Sequence, residues 1–358
     1  MCGICGWVGF GGGGDEDGVA SMVERLTHRG PDGEGLWRDG TGRAILGHRR
    51  LRVLDPHRRA DQPMVHSAGP VLVYNGEVYN FATLRSRLEA EGAVFRSTGD
   101  SEVVLAALVR WGRAALDELE GQFALGLWDP AAGRLLLVRD RLGIKPLFWA
   151  EVEGGVVFAS ELGALLAHPG VRRDLDAEAL GSWLQLGYLC GERTLVRGVR
   201  RLLPGHLLTV TSGGVRVERW YDLVERVGQR KTARDHRAVE EELDSALGRS
   251  VRERLVAEVP LGCFLSGGID STLVTAVAAG EGSPPLAVTA SFEAPFDETP
   301  TARATAAALG LSHRVEPCGA GEMLELIPSW SEVAADPLAD PSLAPTWLIS
   351  RAARRELT

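Results

Sequence analysis

Two short segments of this 358-residue chain carry residue types suited to chemistry: Met1-Cys2, and Leu265–Ser271 with the sequence LSGGIDS. An initiator methionine before a small residue is commonly removed. Removal leaves Cys2 with a free α-amino group of unperturbed pKa about 7.7–8.0. Near neutral pH part of that amine is unprotonated, lies within reach of its own thiol, and can serve as the base that activates it. Read alone, Cys2 is also compatible with a plain tail residue. Cys2 and Cys5 have CxxC spacing, but no second cysteine pair or histidine pair accompanies them. In the other segment, Ser266, Gly267 and Gly268 let backbone N–H groups close around phosphate oxygens, and a helix starting there adds its positive dipole end. Asp270 and Ser271 offer a carboxylate and a hydroxyl to magnesium or phosphate. A bare Ser-Gly-Gly turn is the competing reading. No GxxxxGK[ST] occurs, which excludes a Walker-type NTPase.

The elements that must position these residues differ between the two halves. The first half reads as many short strands, among them Gly3–Phe10, Ala44–Leu51, Val71–Asn75, Phe123–Asp129, Leu135–Arg139 and Val156–Ser160. Turn clusters at Gly11–Asp17, Asp39–Gly42 and Asp129–Gly133 separate them. Helical spacing recurs at Phe81–Glu91 and Ser101–Arg113. Strands in this number with few helices suggest layered sheets covered by helices. The polar Gly228–His236 reads as a linker. Beyond it Val239, Leu243, Leu247, Val251 and Leu255 form one apolar helix stripe. A buried-type strand Val259–Leu265, a helix Ser271–Ala279, a strand Leu286–Phe292 and a helix Thr299–Leu309 follow. Strand–helix alternation predicts a parallel α/β sheet.

Composition narrows the function classes. Hydrophobic residues make up 45% and charged residues 24%, as in ordinary globular proteins. A net charge of −9 argues against a nucleic-acid partner. No apolar run approaches the roughly 20 residues of a membrane span, so no membrane association is expected. Five cysteines do not make a disulfide framework, no signal peptide is evident, and a cytoplasmic location follows as the expectation.

The segments MCGICG, HRGPD (His28–Asp32), LGHRRL (Leu46–Leu51), YNGEVYN (Tyr74–Asn80), TGDSE (Thr98–Glu102) and RDRLGIKPL (Arg139–Leu147) occur in order, followed by SELGAL and RRLLPGH. Together they resemble the class II glutamine amidotransferase domain of asparagine synthetases, over about the first 210 residues. LSGGIDS resembles the PP-loop of ATP pyrophosphatases. FDETPTARATAAALG (Phe296–Gly310) and ADPLADPSLAPTWLISRAAR (Ala335–Arg354) continue the likeness. The fold implied is α/β and α+β in two domains. Residues 1–215 would form a four-layer αββα sandwich of the N-terminal-nucleophile (Ntn) hydrolase kind, 216–236 a linker, and 237–358 a parallel α/β PP-loop domain. In the family a second glycine- and acid-rich loop follows, so the second domain is expected to be incomplete at Thr358.

The resemblance implies roles residue by residue. Cys2 is the nucleophile, and Asn75 with Gly76 supplies oxyanion donors, since acyl transfer needs fixed donors where charge develops. The Asn-Gly pair alone also reads as a tight hairpin turn. Arg50 aligns with the arginine that takes the glutamine carboxylate, which suits a planar bidentate cation. Strand alternation would turn its neighbour Arg49 to the opposite face. Leu51, Arg52, Val53 and Leu54 are carried over as glutamine-contacting positions, and Glu77 and Asp100 as carboxylates for the α-ammonium group. His28 and His48 are expected to be structural. For ATP, Leu265, Ser266, Gly267, Gly268, Asp270, Ser271 and Ala290 are implied, with Mg²⁺ entering as the nucleotide complex near Asp270 and no prosthetic group. Asp297 and Glu298 read either as helix-start carboxylates or as neighbours of the metal–phosphate region.

The implied reaction hydrolyses glutamine at Cys2 and passes ammonia inside the protein to a carboxylate, aspartate, adenylated by ATP. An amidotransferase for another carboxylate, and a glutaminase whose second domain only senses nucleotide, are the alternatives. The oligomeric state is open, a homodimer being one option.

Overall fold

The computed structural model describes residues 1–11, 13–228, 235–282, 284–293, 297–330 and 336–357. The expected linker lies outside the described residues over 229–234, as do Phe296 and Ala335 from the segments quoted above. Two compact units result: Met1–Arg230 with Ala334–Leu338, and Lys231–Val333 with Ala339–Thr358.

The first unit holds two six-stranded antiparallel sheets. One contains β1 (Gly3–Gly9), β2 (Gly33–Arg38), β3 (Ala44–Arg50), β8 (Phe148–Val152), β9 (Gly155–Ala159) and β10 (Val199–Arg201), in the order β10-β8-β9-β1-β3-β2. The other contains β4 (Met64–Val65), β5 (Val71–Val78), β6 (Gly121–Asp129), β7 (Arg134–Arg139), β11 (His206–Thr211) and β12 (Gly214–Arg219), in the order β12-β11-β7-β6-β5-β4. Ile4, Leu46, Val73, Trp128 and Phe158 pack between the sheets. Helices α1 (Glu16–Arg25) and α5 (Leu162–Leu165) cover the outer face of the first sheet through Val19, Met22 and Leu165, which meet Trp7 and Ile45. Helices α2 (Phe81–Ala90) and α3 (Asp100–Trp111) cover the second sheet, with Leu84, Leu88 and Val104 against Leu72 and Phe123; α4 (Ala115–Glu118) follows α3, and α6 (Ala177–Leu186) follows α5. The result is the expected αββα sandwich. Each fully buried Leu or Phe in these layers stabilises it by about 1.5–3 kcal/mol.

β1 is buried along all seven residues, because it lies mid-sheet between β9 and β3 with helices on one side and the second sheet on the other. Its Gly6 is required by close approach: a Cβ there would stand 2.7 Å from both Ile45 O and the Phe158 ring.

Several expectations need correction. α1 begins inside the segment read as a turn, with Asp15 as its N-cap accepting from Gly18 N at 2.8 Å. The signal was present in Val19, Met22, Val23 and Leu26, spaced three and four apart. Of the residues read as linker, 216–219 are the rest of β12, held by pairing with β11, and Leu223–Gly228 form helix α7.

In the second unit, β13 (Gly262–Phe264), β14 (Leu286–Ser291) and β15 (His313–Pro317) form a parallel sheet in that order. Helices α8 (His236–Arg254), α9 (Ile269–Ala279), α10 (Thr299–Ala308) and a further helix Leu343–Ala353 accompany it. β13 is shorter than predicted and is not a buried strand: among the described residues it pairs only with β14, and Phe264 is 51% exposed. The α8 stripe is buried only in its second half, at Val251, while Val239 and Leu243 are exposed.

Candidate active site

β1 starts at Gly3, opposite Arg49 of β3, so Cys2 projects beside the residues that follow β3. Leu51 N donates to Cys2 Sγ at 3.4 Å, and the thiol is 3.7 Å from Leu51 O. Arg29 Nε donates to Cys2 O at 2.9 Å and its Nη1 binds Glu161 at 2.7 Å, which fixes the backbone at position 2. Burial pushes the Cys2 thiol up, while the Leu51 amide, the chain's positive N-terminus and Arg50 pull it down.

Across from Cys2, β5 carries Tyr74, Asn75, Gly76 and Glu77. These residues, with Arg50, Leu51, Val53, Leu54 and Asp100, line one cavity of about 110 Å³ that contains Cys2. Asn75-Gly76 is not a hairpin turn: β5 continues to Val78, and both residues pair with β6. Glycine is needed at 76 because a Cβ would stand 2.4 Å from Gln122 O. Asn75 is 1% exposed, and its Nδ2 has no hydrogen-bond partner among the described residues. An unpaired buried amide donor costs about 1–3 kcal/mol, so a group in the cavity that accepts from it is favoured.

Asp100, at the start of α3, accepts from Tyr74 Oη at 2.7 Å and Val78 N at 3.0 Å, both on Oδ2. Burial nevertheless raises its pKa to about 6. Arg50 lines the cavity, but its four terminal N–H donors are committed. Nη1 donates to His57 O at 2.8 Å and Asp61 Oδ1 at 2.6 Å, and Nη2 to Leu54 O and Asp55 O. The fork expected to be open for a ligand carboxylate is therefore held by the loop 51–61. Arg49 turns the other way, to Val23 O and Glu34. Arg52 is not on the cavity wall. Its backbone N–H goes to Asp32 and its guanidinium to Asp61, because the loop leaves the strand there and alternation no longer applies.

The two histidines stand apart from the thiol chemistry. His28 Nε2 faces Glu161. His48 is fully buried, and burial drives its pKa down to about 3, so the neutral ring donates from Nε2 to Tyr74 O at 3.2 Å and ties the two sheets together. Sequence reasoning missed Tyr74, Gln62, Ser101 and Lys145 as cavity residues. It also missed Asp55, whose carboxylate accepts from Thr98 N at 2.7 Å and joins two cavity loops. Tyr74, Ser101 and Lys145 lay inside segments already noted and Asp55 and Gln62 outside them, but nothing in their spacing revealed where they point.

In the second unit, Leu265 leaves β13 beside β14, donating from its N to Val288 O, and α9 begins at Ile269 with Gly268 as N-cap. Leu265 and Ala290 thus lie near the carboxyl ends of adjacent parallel strands, where α/β sheets bind ligands. The loop amides already have partners. Ser266 N donates to Ser271 Oγ at 3.1 Å, Gly268 N to Ser266 Oγ at 3.1 Å, and Gly267 N to Glu298 Oε2 at 3.0 Å. Asp270 is exposed, and among the described residues no group of three His, Cys, Asp or Glu gathers as a metal site. Asp297 Oδ1 accepts from Thr299 N and Oγ1, closing the turn before α10. No helix among the described residues is long and apolar enough to cross a membrane.

Comparison with known proteins agrees with both halves. Residues 1–221 match a family model described as a glutamine amidotransferase domain, and residues 242–358 one described as asparagine synthase. A putative asparagine synthetase (glutamine-hydrolyzing) of Mycobacterium tuberculosis is 36% identical over 382 residues, covering 100% of this chain and 58% of that protein. Asparagine synthetase (glutamine-hydrolyzing) 3 of Bacillus subtilis is 35% identical over 296 residues, covering 80% and 47%. The chain thus spans about half the length of these curated relatives. Among solved structures, glutamine phosphoribosylpyrophosphate amidotransferase from B. subtilis aligns with a TM-score of 0.47 at 17% identity, over 88% of this chain and 66% of that one.

Proposed function

We propose that this chain, which belongs to the glutamine amidotransferase domain family, takes nitrogen from glutamine at Cys2 and delivers it to a carboxylate activated by ATP. The observation that carries the first step is Asn75 Nδ2, a buried donor without a partner among the described residues, in the cavity that holds the Cys2 thiol. Once Met1 is removed, Sγ attacks the glutamine side-chain carbonyl carbon and its proton passes to the α-amino group of Cys2. The resulting oxyanion accepts from Asn75 Nδ2 and a neighbouring backbone N–H, at Gly76 or Leu51. Collapse breaks the C–N bond, ammonia leaves with the proton, and water hydrolyses the thioester to glutamate. Asp100 and Glu77 are suited to the α-ammonium group of glutamine. Its carboxylate would reach Arg50 by replacing Asp61.

For the second step, a carboxylate oxygen attacks the α-phosphorus of ATP and pyrophosphate leaves. Ammonia then displaces AMP from the acyl carbon, making the enzyme an AMP-forming carbon–nitrogen ligase. The loop Ser266–Ser271 is the phosphate site of this reading, with Leu265 and Ala290 toward the base. ATP enters as its magnesium complex, and Asp270, within the loop, is the carboxylate offered to the metal in this reading. Aspartate is the acceptor that the relatives' names favour. A reducing cytoplasm would keep the Cys2 thiol free.

The test pairs two variants with product analysis. Cys2→Ala should abolish glutamate release and leave ATP binding intact. Asn75→Ala should lower kcat by about 10²–10³ with little change in KM. Glutamate release by Cys2→Ala at near wild-type rate would overturn the assignment. Products formed from glutamine, ATP and candidate acceptors separate asparagine, another amide, and glutamate with ammonia alone.

A further inference from the structure

The hydrolysis derived above makes no use of Lys145, although this lysine lies in the Cys2 cavity and is only 7% exposed. The β7–β8 loop holds it rigidly. Its N–H donates to Asp140 Oδ2 at 3.0 Å, its carbonyl accepts from Arg139 Nε at 2.9 Å, and Asp140 also takes the amides of Leu142, Ile144 and Phe123. The side chain extends to the start of the chain, where Nζ stands 3.3 Å from Met1 Sδ. Arg29 Nη2 is 4.0 Å from the same sulfur. A thioether is a weak acceptor and a poor partner for two cations. Both therefore flank the residue whose removal exposes the α-amino group of Cys2.

We propose that Lys145 is a positioning residue for the charge state of the nucleophile, its ammonium keeping the α-amine of mature Cys2 in the free-base form and favouring the anionic sulfur. The inference rests on Cys2 being the nucleophile. Like charges in one partly desolvated site disfavour a second protonation, and a nearby cation favours a thiolate. Burial lowers the Lys145 pKa below its ordinary value and Arg29 acts in the same sense, while Glu77 of β5, Asp140 and Cys2 itself support the ammonium. Around Cys2 the other charged or titratable groups are Arg50 at the end of β3, Asp100 at the start of α3 and Tyr74 in β5. Unlike Arg29, which binds Cys2 O and Glu161, and Arg50, which binds its loop, Lys145 points its charge at the Met1 site.

The experiment uses the full chain with Met1 removal verified by mass. It follows two rates from pH 5.5 to 9, each as a function of pH: alkylation of Cys2 by iodoacetamide, read on the N-terminal peptide, and kcat/KM for glutamine hydrolysis. Lys145→Met should move the acidic limb of both profiles upward by roughly one pH unit, about tenfold in rate below the limb. Lys145→Arg should restore it, and Lys145→Gln serves as a second neutral variant. Unshifted limbs in the neutral variants, even with reduced kcat, would leave Lys145 a purely structural role and overturn the inference. If full alkylation of Cys2 leaves hydrolysis intact, the nucleophile reading fails and takes this inference with it. Alkylation that abolishes hydrolysis with unshifted limbs sinks the Lys145 inference alone.

Discussion

The Tyr74 hydroxyl donates to Asp100 Oδ2 across 2.7 Å, joining β5, which carries the proposed oxyanion donors, to the first turn of α3. The bond favours the charged carboxylate, yet burial outweighs it and holds the Asp100 pKa at about 6, above its ordinary value of 3.8. In the proposed reaction, oxyanion stabilisation and glutamine binding would therefore be linked through one side-chain pair.

A pH dependence follows. An ionised Asp100 is needed to hold an α-ammonium group, so KM for glutamine should rise about tenfold per pH unit below pH 6. Tyr74→Phe removes a bond to the charged form, raises the Asp100 pKa further and moves that limb to higher pH. The fold responds in the opposite sense. Between the unfolded and folded pKa values the native state binds more protons than the unfolded one, so the Asp100 contribution is lost as pH rises through about 6. Asp100→Asn should therefore raise thermal stability at pH 8 while greatly weakening glutamine binding. An Asn variant that melts lower at pH 8 and binds normally would contradict both halves of this account.

Asp61 gives a second prediction. Its carboxylate holds Arg50 Nη1 at 2.6 Å and lies near Arg52, so it takes one donor of the Arg50 fork. Asp61 is partly exposed, and without it the Arg50 guanidinium keeps its bonds to the His57, Leu54 and Asp55 carbonyls. Asp61→Ala should thus fold normally, free one donor of the Arg50 fork and lower KM for glutamine several-fold with kcat nearly unchanged. A raised KM would show instead that Asp61 orients Arg50 for the substrate.

What was legible in the sequence follows from the kind of force involved. Layered sheets were readable because β1, β3, β5, β6 and β9 are apolar runs bounded by turn residues, whereas the αββα order and the candidate site came from the ordered motifs and the resemblance they carry. α1 was obscured by the glycine run before it, and β12 by its polar outward face. Within the site, Cys2, Asn75 and Asp100 were found through motifs, and Arg50 as well, although not its partners. Those partners are loop carbonyls and Asp61, and long-range hydrogen bonds of that sort leave no periodic trace. Lys145 was missed for the same reason: its importance depends on lying beside a residue 144 positions away.

The last prediction concerns Glu298, for which the sequence left open either a helix-start carboxylate or a neighbour of the metal–phosphate region. In the structure its Oε2 accepts the Gly267 N–H at 3.0 Å, within the glycine loop that precedes α9. A carboxylate on that amide competes with any phosphate oxygen for the same donor and repels its charge. The geometry therefore favours a competitor, displaced when a nucleotide enters. Glu298→Ala should tighten binding of magnesium–ATP several-fold in titration calorimetry, and Glu298→Gln should do so to a smaller degree, since the amide oxygen can still accept from Gly267. The alternative role makes the opposite forecast. Were Glu298 to approach the nucleotide-bound metal, both substitutions would weaken binding, and the loss would be larger with magnesium than without it. Titrations with and without magnesium thus separate the two roles, and weaker, magnesium-dependent binding by the Ala variant would rule out the competitor.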